Sequence, residues 1–214
     1  MNSSPNASLS PSQKSTASGL LDQTALSELA QRLVEAAKRA GADAADAIAV
    51  RGVSQGVEIR EGKVEESERS EGDDIGLRVF VGKRQAVVSS SDIGGDVAKL
   101  AERAVAMAKV SPDDEYVGLA DPALLARQFP DLDLLDPQMP SVAELERRAL
   151  EAETAALAVK GVSKSGGSSA SSGIGGMVLV TSTGFHGSYL RSSQSVSAVA
   201  IAGEGTGMER DYDF

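Results

Sequence analysis

Two stretches of alternating apolar and polar residues, each interrupted by a glycine turn, most constrain the fold of this chain. The first spans 57–64 around the turn Glu61-Gly62-Lys63, and the second spans 75–91 around Gly82-Lys83-Arg84. A period of two with glycine at the turn is typical of antiparallel hairpins. Together with a short apolar strand at 47–50, the pattern predicts an antiparallel meander of four or five strands.

Two segments flanking this meander show helical periodicity. Residues 26–37 carry apolar side chains at three- and four-residue steps, and Gly41 follows as the expected C-cap. A second apolar stripe covers 97–108, and Ser91-Asp92 is the expected cap of this helix. The meander is therefore expected to pack against two helices, one that precedes it and one that follows it in the sequence.

A proline-rich connector separates these elements from a third helix. Residues 111–140 hold five of the seven prolines, which excludes a helix of ordinary length and leaves room for a short helical turn at 123–128. Ser141 and Glu144 then form a capping box that opens the third helix. The apolar residues expected to continue this helix are Leu145, Ala149, Ala152 and Leu157.

The remaining sequence predicts a second set of strands. Beyond Lys160, Ser and Gly alternate with Val and Ile, and this predicts strands at 163–172, 177–181 and 195–201. The predicted elements follow the order typical of an α+β protein: helix, antiparallel sheet, helix, connector, helix and further strands. The fold class is therefore α+β, an antiparallel or mixed sheet with packed helices followed by a second strand-rich segment.

Composition shifts predict four parts of the chain. Residues 1–19 are rich in Ser, Asn and Pro and are expected to form a disordered leader. An α+β domain covers 20–110, and the connector covers 111–140. The helix and strand-rich segment at 141–214 is expected to lead into a C-terminal domain that this chain lacks.

Charge and composition argue against several functional classes. Lys and Arg number 21 against 31 Asp and Glu, so the net charge of -10 repels phosphate backbones, and aromatic residues make up only 3%. We expect no direct nucleic-acid partner. No apolar run approaches the 18 or more residues of a membrane span, so no membrane partner is expected. With no cysteine and His186 as its single histidine, the chain lacks the usual ligands of a zinc site.

The last residues combine glycines with charges. Gly203, Gly205 and Gly207 do not match a phosphate-binding loop and are better explained as a hinge or bulge. In a following strand, Glu209, Asp211 and Asp213 would share one face, opposite Met208, Arg210 and Tyr212. Such a face could bind a cation or a basic partner, and a solvated strand face is the simpler alternative.

Two strings resemble a known family. Residues 56–92 include GLRVFVGKRQA, and residues 180–213 end in GEGTGMERDYD. Both resemble the N-terminal half of the TldD/PmbA family, also called modulators of DNA gyrase, and the details are closer to the PmbA (TldE) branch. The resemblance runs from about Leu26 to the end of the chain.

The resemblance implies a cytoplasmic TldD/TldE heterodimer, a zinc metallopeptidase that degrades unfolded peptides or processes a peptide antibiotic. Its zinc motif, H-E-x-x-x-H, belongs to the TldD-like partner subunit and matches no position here, so no catalytic, cofactor-binding or metal residue is expected in this chain. The resemblance and the glycines and charges above suggest a domain junction near the substrate cavity. The residues expected there are Gly203, Gly205, Gly207, Glu209, Arg210 and Asp211.

Two alternatives stay open at this point. A non-enzymatic module could bind DNA gyrase or a toxin-antitoxin pair without proteolysis, as the older family name suggests. An autonomous hydrolase using serine or carboxylate side chains would have to act alone in excess chelator.

Overall fold

The computed structural model describes residues 22–214, and the predicted leader at 1–19 lies outside the described residues. Three α-helices and six strands follow one another along these residues. In chain order they are α1 Thr24–Arg39, β1 Ala44–Arg60, β2 Lys63–Val81, β3 Arg84–Ser90, α2 Val97–Val110, α3 Val142–Leu157, β4 Val162–Thr181, β5 His186–Ala202 and β6 Glu209–Asp213. Short 3-10 turns occur at Pro122–Leu124 and Gly205–Gly207.

The strands form a six-stranded sheet in the order β3-β2-β1-β4-β5-β6. β2 pairs antiparallel with β3 from Ile75 opposite Ser90 to Val81 opposite Arg84. β5 pairs antiparallel with β6 from Ala198 opposite Asp213 to Ala202 opposite Glu209. An antiparallel sheet with helices confirms the predicted α+β class.

The predicted meander of four or five strands is wrong, because this part of the chain forms three strands, the long β1 and β2 and the shorter β3. The short strand expected at 47–50 is the beginning of β1, which continues to Arg60. Glycines such as Gly52 and Gly56 often end a strand, yet both lie within the extended strand β1. A Cβ at Gly52 would lie 3.6 Å from the carbonyl oxygen of Ile174, and one at Gly56 3.7 Å from Cβ of Ser171, so the glycines fit beside β4.

The described chain divides into two compact units that interleave along the sequence. The first comprises the chain through Arg51, Asp73–Pro130 and Gly176–Leu190, and the second comprises Gly52–Gly72, Asp131–Gly175 and Arg191–Phe214. In the first unit, α1 packs against α2, and α2 packs against β3. Its core includes Leu26, Leu29, Leu33, Ile75, Leu77 and Val79.

The ends of α1 and α2 follow from local chemistry. Gly41 has a φ of 102° and lies one residue beyond the C-cap Ala40. The N–H groups of Gly41 and Ala42 bond to the carbonyls of Lys38 and Ala37, so a Schellman motif ends the helix. The predicted cap of α2 at Ser91-Asp92 is wrong, because Gly94 and Gly95 delay the helix and Asp96 accepts from the N–H groups of Ala98 and Lys99.

The second unit has a smaller core of Val57, Ile59, Leu145, Ala149 and Ala170. As predicted, Ser141 caps α3, with its Oγ accepting the N–H of Glu144 at 3.2 Å. The predicted stripe of α3 is wrong at its C-terminal end: Leu157 is exposed, and the carboxylate-bearing Glu153 is buried in the same turn. The helical turn predicted at 123–128 is a shorter 3-10 turn at Pro122–Leu124.

Candidate functional site

The second unit contains a groove between α3 and the paired strands β5 and β6. Its volume is about 580 Å³. Small side chains of α3, Ala152, Ala155 and Ala156, line one wall and leave the space open. The other wall is formed by Val196, Ser197, Ala198 and Ala200 of β5 and by Asp211, Tyr212, Asp213 and Phe214.

Aromatic and acidic side chains meet at the β6 side of this groove. The rings of Tyr212 and Phe214 stack with centroids 6.4 Å apart and planes inclined by 15°. Asp211 and Asp213 line the groove with them, and all residues of β6 are exposed. An apolar floor with carboxylates at its rim can accommodate a chain that carries apolar and basic side chains.

A charge network covers the N-terminal part of α3. Glu144 accepts hydrogen bonds from Arg147 and Arg148, and these bonds lower the pKa of Glu144 to about 2. Arg148 also donates a 2.6 Å hydrogen bond to Oε1 of Gln194 on β5. The guanidinium group of Arg148 therefore connects α3 to the strand that forms the opposite wall of the groove.

A buried carboxylate fixes the other end of α3. Glu153 is 2% exposed, and its carboxylate accepts the N–H groups of Glu61 and Gly62 at 2.9 and 2.7 Å. Burial raises the pKa of Glu153, but hydrogen bonds from Ser165 and from these two backbone N–H groups outweigh burial and lower it below its usual value. The carboxylate is therefore a structural anion.

The predicted site residues occupy different places. Gly203, with φ of 81°, and Gly205, with φ of 58°, lie between β5 and β6, and Gly207 ends the 3-10 turn. A Cβ at Gly203 would lie 2.5 Å from the carbonyl oxygen of Gly207, so this turn requires glycine. Glu209 and Arg210 lie on β6 opposite Ala202 and Ile201. Of the six predicted residues, Asp211 lines the groove and the other five do not.

The single histidine lies elsewhere. His186 begins β5 in the first unit, is exposed, and its Nε2 lies 3.3 Å from Oγ of Ser27. It lines a cavity of about 350 Å³ with residues of α1 and of the β4–β5 turn. The described residues 22–214 do not fit a zinc centre, because no three His, Asp or Glu side chains among them lie close enough together to hold a metal ion.

Sequence reasoning missed the α3 wall of the groove. Ala152, Ala155, Ala156 and Val159 recur at three- and four-residue steps, which is the signal that could have revealed it. Of these four residues, only Ala152 is predicted from the sequence to lie on the apolar stripe of the helix. Small side chains at helical spacing can line a groove as well as a core, and periodicity alone does not separate the two.

Comparison with known protein families shows to which family this chain belongs. Residues 45–108 match the PmbA/TldA metallopeptidase domain 1, and residues 135–214 match the PmbA/TldA metallopeptidase central domain. The chain belongs to the PmbA/TldD family. The Metalloprotease PmbA homolog of Haemophilus influenzae is 34% identical over 209 residues, covering 96% of this chain and 46% of the relative.

Further family members agree with this assignment. Metalloprotease PmbA of Escherichia coli O157:H7 is 35% identical over 160 residues, covering 74% of this chain and 36% of that protein. The chain thus spans about half or less of the length of the curated relatives it matches, 46% and 36%. The name metalloprotease is the name of these two relatives.

Solved structures share the fold. A protein described as a modulator of DNA gyrase, from Bacteroides thetaiotaomicron, has a TM-score of 0.74 at 22% identity, covering 86% of this chain and 43% of that one. TldE from Thermococcus kodakarensis has a TM-score of 0.67 at 15% identity, covering 86% and 42%. At these identities the likeness concerns the fold. No helix within residues 22–214 combines the length and the apolar character needed to span a membrane.

Proposed function

We propose that this chain acts as a TldE-like, non-catalytic component of a cytoplasmic two-subunit zinc metallopeptidase that degrades unfolded peptides or processes a peptide antibiotic. The observation that carries the proposal is the match to both family domains, with curated relatives named metalloproteases at 34% and 35% identity. One histidine and no cysteine among 214 residues also favour a metal held by the partner subunit.

In this proposal the chain supplies binding surfaces, and the zinc-dependent hydrolysis occurs in a TldD-like partner. The groove between α3, β5 and β6 offers an apolar floor, two stacked rings and the carboxylates of Asp211 and Asp213. Such a surface suits an extended peptide or a partner loop better than a small polar metabolite, because it is wide, open and largely apolar.

Co-expression with a TldD-type subunit that contains H-E-x-x-x-H tests the proposal. We expect the two chains to co-purify and to cleave an unfolded model peptide such as reduced, alkylated casein fragments. Cleavage should stop with excess chelator and return when zinc is added. Cleavage by this chain alone in excess chelator would overturn the proposal, and so would stable binding to DNA gyrase in the absence of any TldD-type subunit.

The predicted junction residues receive a separate test. We propose that residues 203–213 lie near the substrate cavity of the assembled peptidase, supported by the position of Asp211 in the groove. Replacing Glu209, Arg210 and Asp211 together by alanine should weaken partner binding or peptide turnover. As a matched control, Glu28, Arg32 and Glu102 are replaced by alanine in α1 and α2 of the first unit. Unchanged binding and turnover in the first variant would contradict this placement.

A further inference from the structure

The first half of β2 is a strand that buries nothing. All ten residues of Lys63–Gly72 are exposed, although all are in extended strand conformation. β3 pairs with β2 only from Ile75 to Val81. β1 is the neighbour of Lys63–Gly72 on the inner side. On the outer side of this stretch, no strand pairs with it among the described residues 22–214. We call this outer side the β2 edge.

A tight turn precedes this segment and pairs it with β1 on its inner side. Glu61 and Gly62 have φ values of 53° and 71°, so a two-residue turn with both central residues in the left-handed region connects β1 to β2. In such a hairpin the residues flanking the turn, Arg60 and Lys63, hydrogen-bond to each other, and the pattern then alternates. Along an extended strand the N–H and C=O groups of alternate residues point to opposite sides, so alternate residues of Lys63–Gly72 present these groups to the β2 edge.

The hairpin is held firmly enough for this edge to keep its shape. Glu153 of α3 binds both N–H groups of the turn, and Val57 and Ile59 of β1 are buried against α3. The inner strand is therefore anchored in the core of the second unit. A rigid strand with free backbone groups along one side is the template that an added extended segment requires.

The charges along the edge select the segment that can bind. Glu65 pairs with Arg60 and Glu71 pairs with Arg69. Glu66 and Glu68 are exposed and form no ion pair within the described residues 22–214. Acidic side chains disfavour pairing with a second copy of the same edge or with an apolar strand, and they leave a basic strand as the complementary occupant.

We propose that the β2 edge binds an extended, basic segment of an unfolded polypeptide by strand addition. The segment adds a strand beside Lys63–Gly72, exchanging backbone hydrogen bonds with alternate residues of this stretch, and its Lys or Arg side chains lie beside Glu66 and Glu68. The inference goes beyond the peptidase assignment, since binding at this edge needs neither a partner subunit nor zinc. It assigns to this chain a surface that recognises peptides by backbone and charge.

A binding measurement with the full chain tests the proposal without relying on peptidase activity. The probe is a fluorescein-labelled ten-residue peptide of alternating Lys and Thr, and its binding is followed by fluorescence anisotropy in low salt. A second probe carries N-methyl groups on alternate residues, so that it keeps every charge but cannot pair as a strand. We expect binding of the first probe to be at least tenfold tighter than that of the second.

Charge variants locate the binding site. Glu66→Gln with Glu68→Gln should weaken binding of the first probe about fivefold, because two exposed charge pairs are lost. The matched control is Glu28→Gln with Glu102→Gln, two exposed carboxylates of the first unit that are replaced with the same change in net charge. Circular dichroism verifies that both variants keep the native secondary structure.

Four outcomes would overturn the proposal: no binding of the first probe, equal binding of the methylated probe, equal affinity of the edge variant and the wild-type chain, or equal weakening in the control variant. None of them affects the proposed peptidase role, because that role depends on assembly with a TldD-type subunit and on zinc-dependent cleavage.

Discussion

The carboxylate of Glu153 in α3 accepts a 2.7 Å hydrogen bond from the backbone N–H of Gly62 in the β1–β2 turn. A second bond of 2.9 Å comes from the N–H of Glu61. Neither N–H has a partner in the hairpin ladder at such a turn, so the carboxylate satisfies both. A helix and a hairpin that are distant in sequence are thereby joined in the core of the second unit.

Loss of this carboxylate should destabilise the fold. We expect Glu153→Ala to lower the free energy of unfolding by about 2–4 kcal/mol, because two charge-assisted hydrogen bonds disappear and leave buried donors unpaired. Urea unfolding followed by circular dichroism measures the change. Glu146→Ala, at an exposed position of the same helix, serves as control and should cost less than about 0.5 kcal/mol.

The same carboxylate predicts a pH dependence of stability. The pKa of Glu153 is lowered in the folded protein, so its contribution is fully present above the unfolded value of 4.5 and is lost as the pH falls through the folded pKa. The variant Glu153→Gln has no titrating group at position 153. The difference in unfolding free energy between wild type and Glu153→Gln should therefore shrink below about pH 4.5. A difference that grows toward low pH would contradict the assigned hydrogen bonds.

The Glu144 network makes a prediction about titration. Hydrogen bonds from Arg147 and Arg148 lower the pKa of Glu144 to about 2. Replacing both arginines by glutamine should raise this pKa toward the ordinary value of 4.5, as measured by NMR titration of the side-chain carboxyl carbon. Replacing Arg103 and Arg191 by glutamine changes the net charge equally and should leave the pKa of Glu144 near that of wild type.

The turn before β6 predicts a strong difference between two glycines. Gly203→Ala should destabilise this turn by about 1–3 kcal/mol, because its φ of 81° disfavours a side chain and the new Cβ would meet the carbonyl oxygen of Gly207. Gly207→Ala is the matched control, since nothing lies within 4 Å of its added Cβ. Amide hydrogen exchange of β6 should increase in the first variant and remain unchanged in the second.

Local signals in the sequence were sufficient to predict the hairpin turns and the helices. Glycine at 62 and 82, apolar spacing in α1 and the serine cap of α3 all act within a few residues, and the structure contains each of these features. Their physical basis is steric or a short-range hydrogen bond. The family was also recognisable from the strings at 76–86 and 203–213.

Features that depend on distant contacts were not predictable in the same way. β1 continues through Gly52 and Gly56 because β4 lies beside them, and α2 begins at Asp96 because two glycines delay it. Glu153 looks like a solvated helix residue until its two backbone partners are known. The groove also required the pairing of β5 with β6 to bring Asp211 opposite the alanines of α3.

The zinc content of the purified proteins tests the central claim most directly. We predict that this chain alone holds far less than one zinc ion per molecule and shows no peptide cleavage, whereas its complex with a TldD-type subunit holds about one zinc ion per pair and cleaves unfolded peptide. Elemental analysis of both preparations, coupled to a peptide-cleavage assay, provides the answer. Stoichiometric, tightly bound zinc in this chain alone, together with turnover, would contradict the claim.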